Sequence, residues 1–159
     1  MTGCCLLVRR TCWENLGGLD GDFFLYYEDV DLCRRARERG WTVWHEPDLC
    51  ATHHHPLHAR TVPAHLRLVT RHALLTYARK HWPAWQTRVL AGIIRVEAWL
   101  RRRQAWKCGD ELHAGLFDSL GRMVGDFARG RAGIAGRRLL RVVRRREEWR
   151  AALSDHRDP

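Results

Sequence analysis

No stretch of this 159-residue chain approaches the roughly 20 apolar residues that a membrane span needs. The longest attempt, residues 89–100, is interrupted by Arg95 and Glu97. No positively charged leader stands before the first apolar run, so a secretory signal is not expected and a cytoplasmic protein is. None of the six cysteines (4, 5, 12, 33, 50 and 108) forms a CxxC pair, so reduced thiols are expected rather than a disulfide framework. Lysine is nearly absent, with only Lys80 and Lys107; the basic residues are otherwise arginine, which reads as codon bias. There is no internal repeat, no low-complexity tract, and no helix-turn-helix, finger or RNA-binding signature, so nucleic acid is not expected as a partner.

What is present divides the chain in two. The totals are 28 Lys+Arg against 18 Asp+Glu, net +10. Residues 1–60 carry 7 basic and 9 acidic side chains, whereas residues 61–159 carry 21 and 9. The basic part can meet phosphates on nucleic acid, anionic lipid or a pyrophosphate-linked substrate. At 45% hydrophobic and 29% charged, the whole is globular in composition.

Residues 3–8 form an apolar run of the kind that makes a strand buried on both faces. Thr11 and Glu14 have capping-box spacing, and Gly17-Gly18 ends the short helix that would follow. Residues 20–27 are rich in aromatics. From Asp29 a helix is expected, with Val30, Cys33 and Arg37 on one face and Gly40 after its end. Residues 41–45 alternate like a strand, and a second strand is expected over 49–52. Beyond Pro63 the pattern is helical. Its apolar sets are Val62, Leu66, Val69, Ala73 and Tyr77; then Trp85, Val89, Ile93, Val96 and Leu100; then Leu112, Leu116, Leu120, Met123 and Phe127. In the Arg-rich segment 134–149 only Leu139, Val142, Val143 and Trp149 could face a core.

Five motifs stand in order: Thr2-Gly3-Cys4-Cys5-Leu6-Leu7-Val8-Arg9-Arg10; Leu16-Gly17-Gly18-Leu19-Asp20; Phe23-Phe24-Leu25-Tyr26-Tyr27-Glu28-Asp29-Val30-Asp31-Leu32-Cys33-Arg34-Arg35; Gly40-Trp41; and Glu46-Pro47-Asp48 running on to His53-His54. Together they resemble the second half of the GT-A domain of bacterial family 2 glycosyltransferases, particularly the rhamnosyltransferase-like branch. The resemblance covers residues 2–60 and is looser over 61–130. It implies an α/β fold: a partial GT-A sheet fragment over 1–60, the acceptor side, followed by a basic α-helical extension over 61–159. It implies inverting transfer of a hexose or deoxyhexose such as rhamnose, from a nucleotide-sugar donor to a saccharide or lipid-linked saccharide acceptor of cell-envelope glycan.

Such a transfer needs a carboxylate to take the proton of the attacking hydroxyl. The resemblance puts that role on Asp29 of the Glu28-Asp29 pair, where a helix N-terminus favours a carboxylate. An N-capping Asp with no chemical role is the plain alternative. Asp29-Val30-Asp31 is not read as the metal-binding Asp-x-Asp, because it would lie inside a helix; Asp31 is expected to cap or to pair with Arg34 or Arg35. The resemblance further assigns substrate contacts to Gly17, Gly18, Asp20, Tyr26 and Arg34. The sequence departs from the family pattern at Leu19 and Gly21-Asp22.

His53 matches a metal-completing histidine of some members, which suits Mn²⁺ or Mg²⁺ held together with the donor half of the enzyme. Zinc on Cys50, His53, His54 and His58, or solvated loop histidines, are the other readings. Phe23, Phe24, Tyr26 and Tyr27 could stack on sugars or fill the core. No nucleotide-binding half precedes Gly3, so a truncated frame, inactive alone, is expected. A peripheral position at the inner face of the plasma membrane, with helices 85–104 and 134–149 on anionic lipid, is compatible with this reading. A basic helical module binding anionic membrane or nucleic acid without catalysis is the rival.

Overall fold

The structure, a computed structural model, describes residues 5–52 and 64–154, with side chains over 5–52 and 65–144. It divides into two compact units, residues 1–62 and 63–159.

In the first unit, α1 spans Arg10–Leu16 and α2 spans Glu28–Glu38. The first bond of α1 runs from the Trp13 amide to the Arg9 carbonyl at 2.9 Å, so Thr11 lies within the helix and the expected capping box does not form. Cys12 and Leu16 of α1 meet Leu32 and Ala36 of α2, and Val8, Trp41 and Val43 pack against that cluster. The buried face of α2 is therefore Leu32 and Ala36 with Asp31. The expected Val30–Cys33–Arg37 face is not the inner one, since Val30 and Arg37 are exposed. The helix closes where the Trp41 amide reaches the Ala36 carbonyl (3.0 Å) and the Gly40 amide reaches Arg37 (3.0 Å). This double bond pattern needs a left-handed residue at its centre, and Gly40 supplies it with φ 81°.

The sheet fragment is not found among the described residues. Segments 5–8, 42–46 and 49–52 run without helical or ladder bonding. A strand exists only by pairing, and an apolar alternating pattern is satisfied equally by an extended segment packed on a helix pair. Val8, Trp41 and Val43 do the latter.

The second unit contains α3 (Ala64–His81), α4 (Ala84–Lys107), α5 (Glu111–Ala128) and α6 (Ala132–Ser154). Its core is built from Leu68, Leu75, Ile94, Leu120, Met123, Val124 and Leu139. Of the expected faces, Leu116, Leu120, Met123 and Phe127 of α5 are buried, but Leu112 is exposed. On α3 the buried stripe is Leu68, Val69, His72, Ala73, Leu75 and Thr76, while Leu66 and Tyr77 are only half-buried. On α6 the core contacts are Ala135 and Leu139.

The α4 expectation is inverted. Trp85, Val89, Ile93, Val96 and Leu100 are all more than half exposed (53–63%). The helix instead buries Ala91, Ala98 and Ala105, at seven-residue steps, with Ile94. Seven residues are close to two helical turns, so the alanines form one narrow seam. Small side chains there let α4 approach its neighbours closely.

The single acid of α4, Glu97, is turned toward the bundle and bonded to Arg71 (2.9 Å) and Arg101 (3.1 Å). Burial pushes its carboxyl up, but the hydrogen bonds and charges of Arg71 and Arg101 outweigh this and leave it below the usual range. A depressed carboxylate stabilises the fold above its unfolded value, about 4.3 for Glu, and loses that contribution as pH falls through the folded value. Glu97→Gln is accordingly expected to cost about 1–2 kcal/mol at pH 7. In urea titrations the difference from the parent chain should shrink below about pH 4.3. An equal difference at pH 7 and pH 3 would refute this origin.

Candidate functional site

The site begins with two tyrosines in an unusual backbone state. Tyr26 and Tyr27 have φ of 70° and 69°, the left-handed region that bulky residues rarely adopt. Each such residue costs on the order of 1–3 kcal/mol and persists only where its surroundings over-determine it. Tyr27 caps α2 with its carbonyl, which accepts from the Asp31 amide at 2.9 Å, and no side chain completes the cap. The two turns deliver Glu28 and Asp29 as the first residues of the helix, with Asp31 in the same turn.

The three carboxylates then diverge. Asp29 is half-buried; its Oδ1 accepts from the Val30 amide at 2.8 Å, and its Oδ2 makes no hydrogen bond among the described residues. Glu28 keeps one oxygen, Oε2, buried with no partner among the described residues. Asp31 is fully sealed, 0% exposed, and receives the Arg35 Nε at 2.6 Å. Only Asp29 combines an open oxygen with a fixed one. Its charge is also felt by Cys33, whose thiol is raised first by burial and then by the Asp29 carboxylate.

Arg35 organises the rest. Its Nη1 donates to the Leu16 carbonyl (2.9 Å) and its Nη2 to the Gly18 carbonyl (2.8 Å), so one guanidinium clamps the Gly17-Gly18 turn to α2. Arg39 adds a bond to the Asn15 carbonyl. Arg34, for which a substrate contact is expected, pairs with Glu38 on the surface at 2.8 Å. Arg35 was legible only as one of two partners for Asp31, and its reach across to the turn leaves no mark in the sequence.

Gly17 and Gly18 have φ of 71° and 74°. A Cβ on Gly18 would meet the Trp13 indole at 3.0 Å, whereas nothing lies within 4 Å of one on Gly17. Gly18→Ala is thus expected to cost about 2 kcal/mol and Gly17→Ala about 1 kcal/mol, the first combining backbone strain with a clash. Equal losses in urea denaturation would show that the indole contact is irrelevant. Asp20 follows the turn, its Oδ1 accepting from the Asp22 amide at 2.9 Å. Among the aromatics Phe23 is buried and Phe24 is half exposed, so the group splits between core and surface.

A cavity of about 590 Å³ opens between the extended segments and the helices of this unit, lined by Leu6, Val8, Cys12, Leu32, Trp41 and Val43 among others. Arg9 and Thr42 add polar groups to its lining, which does not include Asp29. His53, with His54 and His58, lies outside the described residues. Among the described residues no three His, Cys, Asp or Glu side chains gather as a cation site requires. The described residues alone therefore form no site for a divalent ion.

Residues 1–74 match the family model for glycosyltransferase like family 2, in agreement with the five sequence motifs. Over 87 residues the chain is 34% identical to the N-acetylglucosaminyl-diphospho-decaprenol L-rhamnosyltransferase of Mycobacterium tuberculosis, covering 54% of this chain and 28% of that protein. The low-salt glycan biosynthesis hexosyltransferase Agl10 of Haloferax volcanii is 31% identical over 55 residues, 35% of this chain and 18% of the relative. The matched part thus spans under a third of the length of these curated relatives. No solved structure matches the chain.

Proposed function

We propose, from the match of residues 1–74 to glycosyltransferase like family 2 and their likeness to a rhamnosyltransferase, that this chain carries the acceptor side of an inverting sugar transfer. Asp29 is its general base. The half-open carboxylate at the start of α2 is the observation that supports the reading. An acceptor hydroxyl attacking an anomeric carbon must lose its proton, and a positioned carboxylate with one free oxygen can take it. Transfer of the proton late in the attack asks no unusual basicity of the group.

The relatives direct the choice of substrates. A nucleotide-activated deoxyhexose, rhamnose first, is the donor, and a saccharide on a lipid diphosphate is the acceptor. The extended segments at Val8 and at Trp41 to Val43 correspond in this reading to strands of a GT-A sheet, which they would join by pairing with neighbours. Diphosphate binding and any divalent ion, Mn²⁺ or Mg²⁺, belong to the donor-binding part of the family's catalytic domain, and His53 is the residue of this chain that would lie nearest to that role. In this reading the reaction runs at the cytoplasmic face of the membrane.

The chain is expected to transfer sugar at a negligible rate alone. Replacing the matched stretch of the M. tuberculosis rhamnosyltransferase with the corresponding residues of this chain should restore rhamnosyl transfer to the lipid-linked acceptor. A folded, inactive chimera would defeat the assignment, as would robust transfer by the isolated chain.

A further inference from the structure

The second unit exposes an unusual surface. Along α4, Trp85, Val89, Ile93, Val96, Trp99 and Leu100 are each at least half exposed and fall within a single face of the helix. That face carries no acid, because Glu97 is tied inward by Arg71 and Arg101. One edge of the stripe is a column of arginines at seven-residue steps: Arg88, Arg95 and Arg102. At the C-terminal end Arg103 lies over the Trp99 ring, 5.5 Å from its centroid.

The same edge opens into a groove of about 510 Å³ between α4, α5 and α6. Arg95, Arg102, Arg122, Arg129 and Arg138 line it; Arg102 and Arg122 pair with Asp118 and Arg138 with Asp126, which leaves Arg95 and Arg129 as the groove's cations with no acid partner among the described residues. Trp99 belongs to both the stripe and the groove, so apolar surface and cationic recess are continuous. No described helix is long and apolar enough to cross a membrane.

The geometry points to a docking surface for an anionic phospholipid bilayer, with α4 lying in the interface. The stripe enters the acyl boundary, the tryptophans sit at headgroup depth, and the arginine column with its groove takes the lipid phosphates. Charge decides between possible occupants. A second copy of this chain would bring the same arginines to the contact and be repelled, whereas an anionic lipid surface complements both the apolar and the cationic element. This surface is independent of the transferase reading, since it uses no residue of the first unit.

The test is flotation of the full 159-residue chain with vesicles through a density gradient, which aggregates cannot mimic. Vesicles of equimolar phosphatidylcholine and phosphatidylglycerol should carry the chain upward, and pure phosphatidylcholine should carry far less. Ile93→Asp with Val96→Asp should weaken binding by about tenfold or more, with the helical circular dichroism retained because both side chains face outward. Arg95→Ser and Arg129→Ser should each weaken it about fivefold and reduce its salt sensitivity. The proposal is overturned by absence of flotation, by equal flotation on neutral and anionic vesicles, or by stripe variants that bind like the parent. It is equally overturned if light scattering finds a dimer that the Ile93→Asp, Val96→Asp variant converts to monomer, for then a second copy covers the stripe.

Discussion

Asp29→Asn, introduced into the chimera described above, is expected to lower the rate of sugar transfer by about 10²–10⁴-fold, the usual worth of a positioned general base. The change is close to isosteric. An asparagine Oδ1 can still accept from the Val30 amide, as the Asp29 Oδ1 does at 2.8 Å, so the start of α2 should keep its shape. What disappears is the capacity to hold a proton. Because that capacity matters only as the acceptor hydroxyl is attacking, kcat should fall while the acceptor KM moves little. Retention of activity within about threefold would remove Asp29 from the chemistry and leave it as a residue of the helix start.

The second large effect is on folding. Arg35→Met breaks the ion pair that Arg35 makes with the Asp31 carboxylate, which is 0% exposed. It also removes the donors to the Leu16 and Gly18 carbonyls. Breaking a buried pair from one side costs about 3–5 kcal/mol, against a total stability of about 5–15 kcal/mol for an ordinary domain. The first unit, whose small helix-pair core rests on Cys12, Leu16, Leu32 and Ala36, should be largely unfolded. Hydrogen exchange monitored by mass spectrometry should show fast exchange across residues 10–38 while α3 to α5 remain protected. The double change Asp31→Leu, Arg35→Met should recover much of the loss, since no charge is then stranded. Protection unchanged in the single variant would mean that the pair carries no weight.

How much of this was legible in the sequence depends on which interaction decides each element. Local signals read well: the glycines at 17, 18 and 40 mark helix ends because left-handed closure is decided within a few residues. The Asp31–Arg35 pair follows from spacing on one helix. The α5 face is legible from Leu116 onward because its large apolar side chains have a single stripe to occupy. α4 defeats the same reasoning, since it bears two apolar faces. The rule that the larger residues go inward selected Trp85 to Leu100, whereas the bundle uses the alanine seam. Strands are legible only as extended, apolar segments, because pairing depends on residues far away in the chain. The left-handed Tyr26-Tyr27 pair could not be seen at all, for no local preference favours it.

The arginine at position 35 works as a spacer as much as a charge. Its planar fork reaches a carboxylate on its own helix and two carbonyls of a separate turn at 2.6 to 2.9 Å. A lysine there would preserve the electrostatic sum but has one flexible ammonium in place of a rigid, three-pronged gauge. The separation between the glycine turn and the start of α2 is therefore machined by the shape of one side chain, and charge-conserving drift at this position is closed.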